Sequence, residues 1–432
     1  MLEKKIIKIE GTSKEFSGLG GIFLYDKLID QLLLETKLFG ILPENKIDTK
    51  TSSFEKLRAL ALGFVAGADS LEDMDKLACD IGFSEILGHV NASNTYGEYL
   101  RAFTNLQTKE LNEKLIEMAL ELRMRTHKKE KDFILDLDST SCKQYGVKIE
   151  GANFDYKNQW CLDSIQAYDQ FGFQYHMDVR AGGTYSSNGS ETIIHEIFKR
   201  IPKKYRKYFR GDSAFGTKEI FKALEAKGVK FAIAMKENVY STFLWRIDKW
   251  EKSKLLFHDK RETEIGHWFY TPAGSDKVYR VTALRALKTD MQRSLFHVDS
   301  YDYFVCVSNI GHHEMKNEKL IKFYRKRGQA ENYIKELKYG FDQKHFPCLK
   351  LSANKIYGLI SAIAFNLMRY TAFKLNKNKI HYSKMIRFRM VKLACQVIRH
   401  ARYVVFRFND ETLKEVNYWL NEIKNEFQMA LT

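Results

Sequence analysis

Residues 25–38, 54–66, 70–80 and 107–125 repeat apolar side chains at three- and four-residue spacing, the pattern of helices that bury one stripe. Pro43 is the one proline in this region. The apolar run 54–66, a Gly67-Ala68-Asp69 turn, and Ser70 with Glu72 and Asp73 behind it predict two helices joined by a tight, capped turn. Such a pair suits a helix-turn-helix that reads DNA, and it suits ordinary helix packing equally. The basic run Arg123, Arg125, Lys128, Lys129 and Lys131 reads as a linker or as a solvated helix end.

At Asp132 the period changes to two. Phe133, Leu135 and Leu137 face one way, and Ile134, Asp136 and Asp138 face the other, so a strand starts here. Strands at 161–168 and 173–180, joined around 170–172, suit an antiparallel hairpin. A helix at 191–200 leads to a short strand ending near Asp212. A second helix runs from Thr217, a good N-cap, to Gly228, a good stop, and 229–235 follows as a buried strand. Three antiparallel strands followed by strand-helix-strand alternation predict an α/β or α+β core with a mixed sheet. From 237 to 310 the text turns to short alternating segments, such as 278–284 and 303–307, with Trp245, Trp250 and Trp268 among them: a β-rich insertion. Residues 319–341 and 352–375 read as long helices, 403–406 as a strand, and a last helix starts at Glu411.

Length and composition set the scale. The 432 residues suffice for two or three domains, and 44% hydrophobic with 13% aromatic residues is the composition of a folded chain. The expected segments are 1–130, a helical DNA-binding domain; 131–236, the first part of the core; 237–310, the insertion; 311–376, the second part; and 377–432, a helical, basic C-terminal region. Net charge is +16, which favours a nucleic-acid partner. From 343 to 409 no acidic residue occurs, against fourteen Lys and Arg, among them Lys377, Lys379, Lys384, Arg389 and Lys392. Such a run repels itself unless phosphates neutralise it. Six scattered cysteines without a Cys-x-x-Cys pair argue against a zinc ribbon or disulfide framework and fit a reducing cytoplasm. The start, MLEKKIIKIE, has no apolar signal core. The most apolar stretch, 356–373, contains Asn366 and Arg369 and reads as a buried helix; no membrane is expected.

The helix from Tyr324 carries the sharpest chemical signal. On a regular helix Tyr324, Arg327, Glu331 and Lys338 fall within about 60° of one another, beside an apolar face of Ala330, Ile334, Leu337 and Phe341. Taken alone this is also what an exposed helix with Arg327–Glu331 and Glu331–Lys335 pairs looks like. The spacing Tyr-x2-Arg-x3-Glu-x6-Lys resembles the Y-R-E-K signature of the DDE transposases of bacterial insertion sequences. Two upstream aspartates complete the resemblance: Asp138 in Leu135-Asp-Leu-Asp-Ser-Thr140, and Asp212 in Arg210-Gly-Asp-Ser-Ala-Phe215. Asp138 is preferred over Asp136, on the same strand face, because the Asp-Ser-Thr match places it at the strand end. A competing role for Asp212 is to cap the following turn.

The resemblance implies a ribonuclease-H-like core with Asp138, Asp212 and Glu331 as catalytic residues and metal ligands, converging in one acidic pocket. It implies two Mg²⁺ (or Mn²⁺) ions, which suit hard oxygen ligands and can clamp the attacking and leaving oxygens of a phosphodiester. Asp138 would bridge the ions, and Asp212 and Glu331 would each complete one site. Arg327, Lys335 and Lys338 would hold DNA, Tyr324 would contact a phosphate near the cut, and Trp268 would stack on a flipped base or simply pack. The implied partners are double-stranded DNA, as terminal inverted repeats and target, and a second protomer in the synaptic complex; the implied location is the bacterial cytoplasm, on the nucleoid when DNA is bound. A nuclease of the same core without strand transfer, and a non-catalytic repressor derived from a transposase, are the alternatives. The run Lys203-Lys-Tyr-Arg-Lys-Tyr208, placed near Asp212, suits DNA backbone contact or a solvated approach to the strand. His312 and His313 read as surface.

Overall fold

A computed structural model describes residues 11–44, 50–288, 300–375 and 382–428. The charged N-terminal start and Lys377 and Lys379 of the basic run lie outside the described residues. The chain divides into two compact units. One takes the described residues up to Gln107, Gly340–Asp342 and those from Ile363 onward; the other takes Thr108–Tyr339 and Gln343–Ala362.

The first unit is mainly helical. Its longest N-terminal helix, Ser53–Ala66, starts on the expected cap: Ser52 accepts from the Glu55 amide while the Glu55 carboxylate accepts from Ser52. The Asp73 carboxylate accepts from both the Ser70 amide and hydroxyl, which shapes the turn before the next helix, Asp73–Leu77. The strand expected at 403–406 is present at Val404–Arg407. It forms a three-stranded sheet with two strands that the sequence pattern did not announce, Cys395–Arg399 and Phe16–Ser17.

The second unit is built on one ten-stranded mixed sheet. Its strands, in chain order, are β1 (Asp132–Lys143), β2 (Asn153–Phe154), β3 (Trp160–Asp169), β4 (Gln174–Ala181), β5 (Arg206–Gly211), β6 (Lys230–Ala234), β7 (Glu251–Leu256), β8 (Glu262–Tyr270), β9 (Tyr279–Leu287) and β10 (Tyr301–Ser308). They lie in the order β2-β3-β1-β5-β6-β10-β9-β8-β7, with β4 paired to β3. The hairpin β3–β4 and the α/β run are where the pattern put them. α1 (Ser190–Arg200) precedes β5, and α2 (Lys218–Ala226) starts on the Thr217 side chain, which accepts from the Ile220 amide. It stops before Gly228, whose φ of +64° is the left-handed conformation that ends helices. The strands of residues 237–310 are not a separate sheet: β10 pairs with β6, so they extend the central one.

Two expectations are corrected. Asp138 does not end its strand. β1 pairs in parallel with β5 only from Asp132 to Leu137, but its antiparallel ladder with β3 carries it on to Lys143. Nor is 319–341 one helix. It divides into α3 (Asn317–Arg325) and α4 (Gly328–Gly340), because the Arg327 amide bonds back to Tyr324 and the Ala330 amide to Arg327, three residues each and not four, next to a poor helix former, Gly328. The apolar stretch at 356–373 lies in the helix Leu351–Leu375, with Asn366 and Arg369 buried. Among the described residues no helix is long and apolar enough to cross a membrane.

Candidate functional site

β1 and β5 run side by side in parallel, about 4.8 Å apart. Their last register pair is Leu137 with Gly211, so Asp138 and Asp212 are the next residue on each strand. The chain then parts: β1 continues along β3, and β5 turns into a short 3₁₀ turn, Ser213–Phe215. Asp212 caps that turn, one carboxylate oxygen accepting from the Ala214 amide at 2.8 Å. Capping and a place beside Asp138 are therefore compatible. Asp138 feels the charge of Asp212. Burial, with Asp212's charge adding to it, pushes the Asp138 carboxyl up to about 6 against the pull of Arg327.

Arg327, at the break between α3 and α4, joins the third acid to this pair. One of its nitrogens donates to Asp138 at 3.0 Å and another to Glu331 at 3.4 Å. Burial disfavours its charge, yet Asp138, Tyr324 and Asp212 together raise its pKa. The Asp138 side chain is 13% exposed and that of Glu331 54%, so Glu331 is the acid with freedom to move. Asp212 thus follows the strand beside Asp138, and Arg327 reaches from Asp138 to Glu331. Among the described residues no three His, Cys, Asp or Glu side chains stand close enough together to hold a metal ion as they are placed.

The remaining members of the stripe hold the site's frame. Lys338 donates to the Thr140 hydroxyl at 2.6 Å and the Ser141 carbonyl at 2.8 Å, which ties α4 to β1 two residues past Asp138. Tyr324 is 8% exposed and packs among Leu320, Ile321, Leu284 and Cys306, with Phe304 5.1 Å away ring to ring. Its hydroxyl takes a hydrogen bond from Arg327, and burial pushes its pKa up to about 12. A buried ring suits an anchor for α3 better than a surface contact. Lys335 is exposed on α4. Trp268 is half-buried on β8 opposite Val281. Elsewhere in the same segment, Trp245, Trp250, Tyr301, Tyr303, Arg261 and Arg285 line a cavity of about 930 Å³.

One residue that pattern reading passed over is Arg210. It interrupts an otherwise closing strand and is fully buried, donating to both oxygens of Asp136 at 2.7 and 2.6 Å. Its third nitrogen donates to the Phe323 carbonyl at 2.8 Å, one residue before Tyr324. Asp136 is therefore engaged in a buried pair, and of the two Asp138 is the more accessible acid. A cation directly after Tyr208 and Phe209, at the inner end of a short strand, was the signal available. The run at 203–208 also sits differently from the expectation. Arg206 pairs with Asp132 at the start of β1, at the far end of both strands from Asp138 and Asp212.

Residues 1–424 match the protein family described as transposase DDE domain group 1. No curated protein matches the chain. Seven chains of solved structures do. Among them is the Mos1 transposase paired-end complex with left transposon end, 13% identical over 44% of this chain and 61% of that one, with a TM-score of 0.18. The match thus spans less than two thirds of that chain.

Proposed function

We propose, from the premise that the chain belongs to the transposase DDE domain group 1 family, that it binds the terminal inverted repeats of its own element, cuts the element's ends and joins the freed 3′ hydroxyls to target DNA. The observation that carries this is the placement of Asp138 and Asp212 one residue past the last register pair of neighbouring parallel strands, with Arg327 linking Asp138 to Glu331. The same reading assigns the sheet a ribonuclease-H-like core, extended by the β-rich segment 237–310, and places the protein in the Y-R-E-K branch found in bacterial insertion sequences, acting as a homodimer at paired ends. The segment boundaries at 130, 236, 310 and 376 are kept as functional divisions.

The donor set fits divalent cations. All three side chains are hard oxygen ligands, and burial and mutual charge that lift the Asp138 carboxyl are relieved by a cation. Asp138, Asp212 and Glu331 would hold Mg²⁺ or Mn²⁺, two ions in the full site, and the metal would activate water and stabilise the departing oxygen. Arg327 now lies between Asp138 and Glu331, where it offsets their charge. Release of Glu331 from this long 3.4 Å contact frees Arg327 to meet a phosphate oxygen. Lys338 holds the Asp138–Thr140 segment, and Tyr324 holds the end of α3, so these two act by positioning. Base stacking in the insertion falls to Trp245 or Trp250, which line its cavity, in preference to Trp268.

The test takes purified protein, DNA carrying the inverted repeats that flank its gene, and Mg²⁺. The wild type should nick the ends and yield joined products. Asp138→Ala, Asp212→Ala and Glu331→Ala together should abolish both while leaving DNA binding, because removing acids does not weaken phosphate contacts. Nicking by the triple variant would overturn the assignment. Nicking by the wild type without joined products would favour a nuclease.

A further inference from the structure

We propose that a second DNA site lies at the opposite end of the sheet from the carboxylates: a basic cavity that holds the phosphate backbone of duplex DNA. The proposal rests on the reading of the protein as an enzyme acting on DNA, but it concerns residues that the reading does not use.

The cavity, about 1050 Å³, opens where β1, β5 and β6 begin and runs along one side of α3. Its walls carry eight Lys and Arg side chains against two acids, Asp132 and Glu314. Both acids are already engaged, Asp132 by Arg206 and Glu314 by Lys230. The six remaining cations are lysines at 203, 207, 227, 319, 322 and 326. Among the described residues no ion-pair partner stands within reach of Lys203, Lys227, Lys319 or Lys326. An ordinary solvated face intersperses both signs, and this one does not. The crowding is felt at Lys207, where burial, then Lys227 and Lys203, hold the ammonium below its usual pKa. The free protein therefore keeps a repulsive arrangement that a row of phosphates would relieve. Tyr205, Tyr208 and Phe323 line the same space, and the Phe323 ring lies tilted against Tyr208 at 5.5 Å, giving the walls an apolar part.

A duplex can span the distance between the two places. Asp132 and Asp138 are six residues apart on one strand, about 20 Å at 3.3 Å per residue. That is about six base pairs of duplex at 3.4 Å each. One piece of DNA can therefore reach both the carboxylates and the cavity.

The experiment compares the wild type with Lys203→Gln/Lys227→Gln/Lys319→Gln and with the matching triple arginine variant. Affinity for a 30-base-pair duplex of arbitrary sequence is measured over a range of salt. If each lysine meets a phosphate, the glutamine variant loses about three from the slope of log affinity against log salt, and the arginine variant keeps the slope. An unchanged slope in a glutamine variant that melts as the wild type does overturns the proposal, as does an equal loss in the arginine variant. Amine acetylation of the wild type, read by mass spectrometry, gives a measurement that needs no variant. Duplex should protect Lys203, Lys227 and Lys319. Equal labelling with and without duplex, or protection by single-stranded DNA alone, also overturns it. Since neither readout involves cutting, this cavity can fail while the carboxylate assignment stands, and the reverse.

Discussion

Two aspartates on one face of one strand have opposite fates, and arginines decide both. Asp136 is buried and gripped at both oxygens by Arg210, whereas Asp138 is reached by one nitrogen of Arg327, which also serves Glu331. A buried ion pair adds little net stability, but removing one partner strands the other's charge. Arg210→Met should therefore cost about 3–5 kcal/mol, and adding Asp136→Leu should restore most of it. Urea unfolding of the two variants checks this; equal losses would mean that the Arg210 bond to the Phe323 carbonyl carries the effect. A second buried group gives a pH signature. The Nε2 atom of His176 on β4 is buried, and among the described residues it has no hydrogen-bond partner. Burial lowers its pKa to about 4, with Arg180 and Lys355 in the same direction and Asp178 opposed. Between the ordinary 6.5 and 4 the unfolded chain binds the extra proton and the fold does not. This contribution is intact above 6.5 and is lost as pH falls to 4, at up to about 1.4 kcal/mol per pH unit. His176→Phe should unfold less steeply with acid over that window, measured as urea midpoints at pH 7 and 4.5; parallel losses in both proteins would show that His176 does not titrate there.

Elements show where sequence patterns carry structural information and where they stop. The β3–β4 hairpin, α1, α2 with both its caps, and β6 were legible because each is set by local signals: alternation, a Thr cap and a glycine stop. The proposed site residues came instead from the resemblance of their motifs, Asp-Ser-Thr at Asp138 and the Tyr324 to Lys338 spacing, and from no local period. What escaped was non-local. Phe16–Ser17 pairs with Cys395–Arg399 across most of the chain, and no local period announces a two-residue strand. The extension of β1 to Lys143 depends on β3, and the break at Lys326–Arg327 depends on three-residue hydrogen bonds that periodicity does not register. Arg210 escaped because its partners lie on β1 and α3. Two glycines test how tightly elements are set. A Cβ on Gly21 would lie 1.7 Å from the Met390 carbonyl oxygen, at a point where the Gly21 amide bonds to Val391. Gly21→Ala should thus cost about 3 kcal/mol. Gly328 has open space around it, and Gly328→Ala should stabilise α4 by about 0.5–1 kcal/mol. Thermal melts of the two variants should move in opposite directions; a stabilising Gly21→Ala would show that the Met390 contact yields cheaply.

Charge is a property of the whole molecule, and the basic run from 343 to 409 is only partly unneutralised. Lys355 pairs with Asp178 at 2.7 Å, Lys350 with Glu150 at 3.7 Å and Lys374 with Glu422 at 3.8 Å. Arg399 pairs with both Glu15 and Glu85, and Arg387 is buried on the Phe64 and Val65 carbonyls. Acids distant in the text thus answer several of the cations that no acid accompanies locally, so a one-sided run does not convert directly into a phosphate footprint. Lys384, Arg389, Lys392 and Arg402 are exposed. These two classes should separate in a salt titration, since a cation already held by a carboxylate gains less from a phosphate than one facing water. Changing Lys384, Arg389 and Lys392 to glutamine together should lower the salt slope of duplex binding by about three, with little change in melting temperature. Changing Lys355 and Arg399 to glutamine should leave the slope and lower the melting temperature modestly, since partly exposed pairs contribute about 1 kcal/mol or less each. If both sets shift the slope equally, ion pairing inside the chain does not protect these cations from DNA, and net charge alone governs binding.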